Sequence, residues 1–248
     1  MWRLQTGAGP GRGRPAAVRP GRRGGPVPGV RRDPDPRVTA PVPETTVLLV
    51  RHGQTTWSAE RRYAGREDPP LTGLGEQEAI SLAERVSGLR PDVVYSSPLR
   101  RCRDTAARIA GRDNGVLVEP DLTDADLGAW TGLGRRQIQA GDPAAFARWS
   151  SSSAGAPPGG ESYDQVLDRA VPVLRRVLAA HPGGTAALVT HSAVVKMLLT
   201  WALGVPAAVG FRLKVDTASL SALTGPADAE AGTCTVWAVN ETGHLPGG

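Results

Sequence analysis

Short, fully apolar strands alternate with amphipathic helices along this chain, and this alternation is what most constrains its fold. Residues 45–50 and 185–190 read TTVLLV and TAALVT, two runs with several β-branched residues and no charge. Such runs are typical of strands that are buried on both faces, as in a parallel sheet. Apolar residues at helical spacing follow at 72–89 and 192–203. The pattern predicts a three-layer α/β/α fold with a mostly parallel central sheet.

The remaining elements are predicted from periodicity and from turn residues. Pro98 fits the first turn of a helix, where the missing N–H is tolerated. Segments 121–132 and 150–160 have the composition of loops. The other predicted elements are strands at 91–95 and 116–118, helices at 98–110, 138–149 and 161–180, and two or three strands within 213–239.

Residues 1–43 differ from the rest of the chain in composition. They contain nine Arg, two Asp, no Lys or Glu, and many Gly and Pro residues. Such a segment buries too little apolar surface to offset the entropy lost on ordering. We therefore expect a disordered tail at 1–43 and a single domain at 44–248. The net charge of +5 belongs to the tail, which could bind anionic surfaces but lacks the interleaved aromatics of a nucleic-acid-binding arm.

Composition also excludes several classes of protein. The chain has no run of 18 apolar residues, so we expect no transmembrane helix. The N-terminus also lacks the apolar segment of a secretory signal. Cys102 and Cys234 fit small buried hydrophobic residues better than a disulfide framework or a metal-binding cluster. We therefore expect a cytoplasmic protein with no metal and no other cofactor.

His52 and His191 each come directly after one of the two apolar strands. Ligand sites in parallel α/β sheets lie beyond the carboxyl ends of strands, so both histidines can face one crevice. Arg51 offers a planar fork of donors to phosphate oxygens, and Gly53 lets the backbone turn sharply. A neutral imidazole can attack phosphorus while arginines neutralise the charge on the equatorial oxygens. The pattern predicts a phosphoryl-transfer site at His52.

Two further groups of side chains could complete this site. Three arginines lie in the first turns of the predicted 98–110 helix, and the N-terminus of a helix favours anions. Their side chains point in different directions around the helix, so at most two can reach the crevice. The leaving alcohol needs a proton from an acid whose pKa is raised. Spacing leaves the choice open among Arg100, Arg101 and Arg103, and among Asp121, Asp124 and Asp126.

Four sequence blocks, in this order, resemble the histidine phosphatase superfamily, also called the phosphoglycerate mutase-like family. They read LVRHGQT at 49–55, SSPLRRCRDT at 96–105, PGGES at 158–162 and VTHS at 189–192. The resemblance covers about residues 45–240 and implies a phosphoglycerate mutase-like fold. Three shorter segments resemble the acid phosphatase half of bifunctional ribonuclease H/acid phosphatase proteins and the α-ribazole phosphatases: 60–66, 195–199 and 239–245.

The resemblance implies roles position by position. His52 matches the phosphorylated nucleophile, and His191 matches the second histidine that contacts the phosphoryl group. Arg51 and Arg101 match the phosphate-binding arginines. Asp124 matches the proton-donating acid, which is usually the longer Glu in this family. Ser58 stands where many members have an Asn that contacts phosphate, and its hydroxyl can donate one hydrogen bond.

The resemblance implies a phosphomonoesterase of the histidine acid phosphatase type, acting on small phosphorylated metabolites through a phosphohistidine. α-Ribazole phosphate, and with it cobalamin synthesis, is one candidate. A phosphoglycerate-mutase-type phosphomutase is a weaker alternative, because the body lacks the extra segments that hold a bisphosphate. A phosphate- or RNA-binding module without catalysis is the third.

Partners follow from the same interpretation. We expect a small phosphate monoester as ligand, no nucleic-acid or membrane partner, and a monomer or homodimer. Four arginines could meet a second anionic group of the substrate or be ordinary surface charges: Arg62, Arg66, Arg135 and Arg136.

Overall fold

The computed structural model describes residues 43–111 and 115–247. The predicted tail therefore lies outside the described residues, except for Pro43. Strands in the described part are β1 (Thr45–Arg51), β2 (Val93–Ser96), β3 (Val116–Val118), β4 (Thr185–Thr190), β5 (Leu220–Gly225) and β6 (Thr235–Glu241). They form one sheet in the order β3-β2-β4-β1-β5-β6, in which β1 to β4 are parallel and β5 and β6 add an antiparallel edge.

Helices cover both faces of this sheet. Those in the described residues are α1 (Thr56–Ala59), α2 (Gly73–Ser87), α3 (Arg100–Ala110), α4 (Arg135–Gly141), α5 (Pro143–Ser151), α6 (Tyr163–Ala180) and α7 (Ser192–Ala202). Three short 3-10 helices lie at Pro120–Leu122, Gly128–Trp130 and Ala207–Arg212. Within the described residues, no helix is long and apolar enough to cross a membrane.

The apolar run of β1 is explained by its place between two helical layers. Val47 and Leu49 pack with α6 and α7, whereas Leu48 and Val50 pack with α2 and α3. Side chains alternate between the faces of a strand, so a strand covered on both sides must be apolar throughout. The three-layer α/β/α fold with a mostly parallel sheet is confirmed.

The predicted helix at 138–149 is wrong as a single element. Two helices, α4 and α5, meet at Asp142, whose carboxylate accepts a hydrogen bond from the N–H of Ala145 at 2.9 Å. Pro143 occupies the first position of α5, because proline has no N–H to continue α4 but suits a helix start. Apolar periodicity ran across the break because both helices pack into one aromatic cluster, to which they contribute Ile138 and Trp149.

Smaller differences lie in the loops and at the C-terminal end. The segment 121–132, predicted as a loop, contains 3-10 turns. Cys234, expected to be buried, is only partly buried and lies just before β6. Two strands form within 213–241, in agreement with the two or three expected. Strand β3 has the predicted bounds, and α2 begins after Thr72, whose hydroxyl accepts a hydrogen bond from the N–H of Gly75.

Candidate active site

Strands β1 and β4 are neighbours, and this brings the two histidines together. Arg51 is in register with Thr190, and the N–H of His52 donates to the carbonyl of Thr190 at 3.0 Å. The rings of His52 and His191 lie edge to face with centroids 5.2 Å apart, and both are buried. The two rings meet at the carboxyl ends of the parallel strands, but His52 lines the cavity described below whereas His191 does not.

The ring of His52 is held in one tautomer. Its Nδ1 lies 2.8 Å from the carbonyl oxygen of Gly53, which can only accept, so Nδ1 carries the proton and Nε2 keeps its lone pair. Nε of Arg101 donates toward Nε2 at 3.3 Å. Burial lowers the pKa of His52 well below 6.5, and the charges of Arg101 and Arg51 lower it further. A neutral imidazole with an unprotonated Nε2 is the form required of a nucleophile.

Arg101 is the arginine of its cluster that reaches the site. Its side chain is 1% exposed, whereas that of Arg100 is 69% exposed and pairs with Asp104. Its Nη atoms donate to the carbonyls of Gly65 at 2.8 Å and Glu67 at 2.6 Å. Nη2 also lies 3.2 Å from Nδ1 of His191. One guanidinium therefore contacts both histidines from the first turn of α3, where the helix N-terminus also favours an anion.

Arg51 approaches the site from the end of β1. Its Nη1 donates to the carbonyl of Val215 at 2.7 Å, while its Nε is buried without a hydrogen-bond partner among the described residues. Burial lowers the pKa of Arg51, and the carboxylates of Asp124 and Asp216 oppose this shift. A partly buried guanidinium whose Nε is an unused, buried donor suits an anionic ligand, because leaving that donor unpaired is costly.

Asp124 is the aspartate that lines the same cavity, whereas Asp121 and Asp126 do not. Its Oδ2 lies 3.3 Å from Nη2 of Arg101 and 3.6 Å from Nδ1 of His191. Burial raises the pKa of Asp124, opposed by the charge of Arg101 and by the N–H of Ala125. A carboxyl group with a raised pKa can hold a proton for transfer to a leaving group.

Arg169 fixes the loop that carries Asp124, and sequence reasoning did not single it out. Its Nη2 donates to the carbonyl of Asp124 at 3.1 Å and its Nη1 to that of Asp121 at 2.6 Å. Glu161, from the third sequence block, PGGES, accepts two hydrogen bonds of 2.7 and 2.9 Å from Arg169. Glu161 lies just before α6 and Arg169 lies on it, so the only signal in the sequence was an acidic and a basic residue eight positions apart.

Ser58 lies at the cavity wall, but its hydroxyl is engaged locally. Its Oγ accepts from the N–H of Thr55 at 2.8 Å and donates to the Thr55 carbonyl at 3.0 Å, within the capping box of α1. Because a hydroxyl has one proton, a bond from Ser58 to phosphate requires breaking the bond to Thr55. The predicted contact of Ser58 with substrate stays a prediction.

The site opens into a cavity of about 460 Å³. Its wall includes four aromatic side chains and five from arginine or lysine. They come from segments far apart in sequence, which is why no local pattern indicated the cavity. The wall residues not predicted as site residues include Tyr63, Leu127, Trp149, Tyr163, Lys196 and Phe211. Of the four arginines considered for a second anion, Arg62 and Arg135 line this cavity, whereas Arg66 and Arg136 do not.

Fold and site together define an α/β protein in which two histidines and two arginines meet beyond the carboxyl ends of the parallel strands. The chain belongs to the histidine phosphatase superfamily (branch 1), whose family model matches residues 47–240. Across the described residues, no group of three or more His, Cys, Asp or Glu side chains is placed to hold a metal ion.

Individual relatives agree with this family. Bifunctional protein Rv2228c of Mycobacterium tuberculosis is 41% identical over 207 residues, which cover 81% of this chain and 55% of that protein. The chain thus spans little more than half the length of that relative. Metal-independent phosphoserine phosphatase of Arabidopsis thaliana is 36% identical over 159 residues, covering 62% of this chain and 67% of that protein. A mycobacterial glucosyl-3-phosphoglycerate phosphatase structure with VO3 superimposes with a TM-score of 0.73 at 30% identity, covering 79% and 99% of the two chains.

Proposed function

We propose that this chain is a metal-independent phosphomonoesterase that works through a phosphohistidine at His52. The observation that carries the proposal is the state of His52, whose Nδ1 proton is fixed on the Gly53 carbonyl while Nε2 faces Arg101. His52 lines the cavity together with Arg51 and Arg101, and its neutral ring keeps an unprotonated nitrogen there. It suits attack on a phosphoryl group whose charge those arginines neutralise.

In the first step, Nε2 of His52 forms a bond to phosphorus as the bond to the ester oxygen breaks. Arg51 and Arg101 balance the charge on the equatorial oxygens, and the N-terminus of α7, where Ser192 and Ala193 line the cavity, adds backbone donors. Protonated Asp124 gives its proton to the leaving alkoxide. The products of this step are the alcohol, an Asp124 carboxylate and phosphorylated His52.

In the second step, a water molecule attacks the phosphorus of phosphohistidine. The Asp124 carboxylate takes a proton from that water, and the N–P bond breaks to return the lone pair to Nε2. Inorganic phosphate leaves, and Asp124 is again protonated for the next cycle. His191 lies beside His52, but its Nε2 is 2.8 Å from the hydroxyl of Ser97 and its Nδ1 is 3.2 Å from Nη2 of Arg101. Its proposed contact with the phosphoryl group therefore requires one of these bonds to be exchanged for a phosphoryl oxygen.

The proposed substrates are small phosphate monoesters. Relatives named for phosphoserine and for glucosyl-3-phosphoglycerate support this class, and the resemblance of 60–66, 195–199 and 239–245 adds α-ribazole phosphate. A phosphate-release screen over a panel with all three would choose among them. The proposed catalytic domain is 44–248, and the cytoplasm is the proposed compartment.

Substitution of the nucleophile tests the proposal. His52→Ala should abolish phosphate release from 4-nitrophenyl phosphate. It should also lack the alkali-stable phosphoryl group that rapid quenching during turnover should trap on the wild-type protein. His181→Ala is the matched control, because His181 bonds the hydroxyl of Tyr95 and does not line the cavity. Full activity in His52→Ala would refute the phosphohistidine route.

Two further experiments test for a metal-dependent enzyme and for a phosphomutase. EDTA should leave the rate unchanged, whereas strong inhibition would point to a required metal. Incubation with 3-phosphoglycerate and a trace of the bisphosphate should release inorganic phosphate. Formation of 2-phosphoglycerate without net phosphate release would identify a phosphomutase instead.

A further inference from the structure

Lys196 is the cavity residue to which the proposed phosphoryl chemistry gives no role. The chain has 27 Arg but only two Lys, and the other, Lys214, is 80% exposed and pairs with Asp216. Lys196 is partly buried and lines the cavity that contains His52. No hydrogen bond or ion pair with residues of 43–111 and 115–247 engages its ammonium group. A partly buried cation without a counter-ion is unfavourable unless a ligand supplies one.

The geometry of α7 directs Lys196 toward the site. Side chains on a helix lean toward its N-terminus, and Ser192, one helical turn earlier, lines the same cavity. Gly210 packs against the base of the lysine, since a Cβ atom there would lie 3.5 Å from Cβ of Lys196. Burial and the charge of Arg51 lower the pKa of Lys196, as expected for a cation near another cation.

The other cations at the cavity wall have partners or face solvent. Arg62 donates to Glu60 and to the carbonyl of Gly132. Arg135 is exposed, and its guanidinium stacks over the ring of Phe146 at 4.7 Å. Solvent screens such exposed charges. Lys196 is thus the cation of the wall best placed to act on a bound molecule.

We propose that Lys196 binds a carboxylate of the substrate, separate from the phosphoryl group that is transferred. Arg51 and Arg101 already supply planar forks for the phosphoryl oxygens, whereas an ammonium is a single point charge that suits a single carboxylate. The inference rests on the proposed phosphatase function and narrows its substrates to phosphate esters of hydroxy acids. It favours phosphoserine-like esters over α-ribazole phosphate, which has no carboxylate.

A matched pair of esters tests this assignment. 3-Phosphoglycerate and glycerol 3-phosphate carry the same phosphoester on a three-carbon chain. The first has a carboxylate where the second has a hydroxymethyl group. The readout is the ratio of kcat/KM for the first ester over the second. Wild type should favour 3-phosphoglycerate, and Lys196→Met should lower the ratio by roughly tenfold to a hundredfold, the range for a charged hydrogen bond.

Two variants control the experiment. Lys196→Arg keeps the charge and should restore part of the ratio, mainly through KM. Lys214→Met removes the other lysine and should keep the wild-type ratio. An equal loss on both esters in Lys196→Met, or a wild-type ratio near one, would overturn the proposal. No phosphate release by wild type from either ester or from 4-nitrophenyl phosphate would instead refute the phosphatase function itself.

Discussion

The guanidinium of Arg101 contacts Nε2 of His52 through its Nε atom, at 3.3 Å, from a side chain that is 1% exposed. The same group donates to two backbone carbonyls and to His191. Planar donors in fixed directions make this possible, and an ammonium cannot reproduce them. Through Arg101, the position of α3 therefore determines which hydrogen bond Nε2 of His52 accepts.

Replacing this guanidinium should impair activity and stability together. We expect Arg101→Lys to lower kcat/KM for 4-nitrophenyl phosphate at least about a hundredfold, because charge stabilisation at the phosphoryl group is lost. Carbonyls of Gly65 and Glu67 lose donors, so the free energy of unfolding should fall by about 2 kcal/mol or more. Arg100→Lys, at an exposed position, is the matched control for both kinetics and urea unfolding. Wild-type kinetics in Arg101→Lys would contradict the assignment.

The role of Asp124 predicts a dependence on the leaving group. Asp124→Asn should slow hydrolysis of glycerol 3-phosphate by about 10²–10⁴-fold, the usual contribution of a general acid. The loss on 4-nitrophenyl phosphate should be much smaller, because its leaving group needs little protonation. Asp126→Asn is the control, since its carboxylate caps the N–H of Gly128 outside the cavity. Equal losses on both substrates would assign the proton to another group.

The shifted pKa values predict a bell-shaped pH profile for kcat/KM. His52 must be neutral, so the rate falls as pH decreases through its pKa, which lies well below 6.5. Asp124 must be protonated, so the rate falls as pH increases through its pKa, which burial raises above 3.8. The optimum for glycerol 3-phosphate should lie on the acidic side of neutrality. Steady-state rates in buffers of constant ionic strength measure both limbs.

The Asp124→Asn variant separates two contributions to the alkaline limb of the pH profile, ionisation of the enzyme and ionisation of the substrate. Asp124→Asn should lose the part of the alkaline limb that belongs to the carboxyl group. Any limb left in that variant reports ionisation of the phosphate ester, whose second pKa is about 6. An alkaline limb identical in wild type and variant would refute Asp124 as the titrating acid.

Close backbone packing behind the nucleophile predicts a difference between two glycines of α2. A Cβ atom at Gly75 would overlap the carbonyl of Gln54, in the loop that follows His52, whereas one at Gly73 would meet nothing within 4 Å. Gly75→Ala should therefore lower the free energy of unfolding by about 2 kcal/mol or more. Gly73→Ala should be neutral or stabilising by up to about 1 kcal/mol. Urea unfolding of both variants provides the comparison, and equal stabilities would contradict it.

Much of the fold follows from local patterns in the sequence. Strands β1 and β4 were predictable because burial on both faces requires apolar residues at every position. The break at Pro143 was not assigned, although proline signals it, because apolar periodicity continued through two helices that share one core. Periodicity reports which side of a segment is buried, and it does not report whether the backbone is continuous.

The sequence by itself determined the α/β class, the places of His52 and His191 after strands, and the motif blocks that resemble a known family. Spacing left three arginines and three aspartates open, and the family resemblance chose Arg101 and Asp124. The tertiary structure places these two side chains at the cavity wall and shows that the hydroxyl of Ser58 is already engaged. It also places Lys196 at the cavity wall and Arg169 against the backbone of the loop that carries Asp124. The physical reason is separation along the chain. Strand and helix patterns depend on neighbouring residues, whereas a cavity wall is determined by the order of strands in the sheet and by packing between segments far apart in sequence.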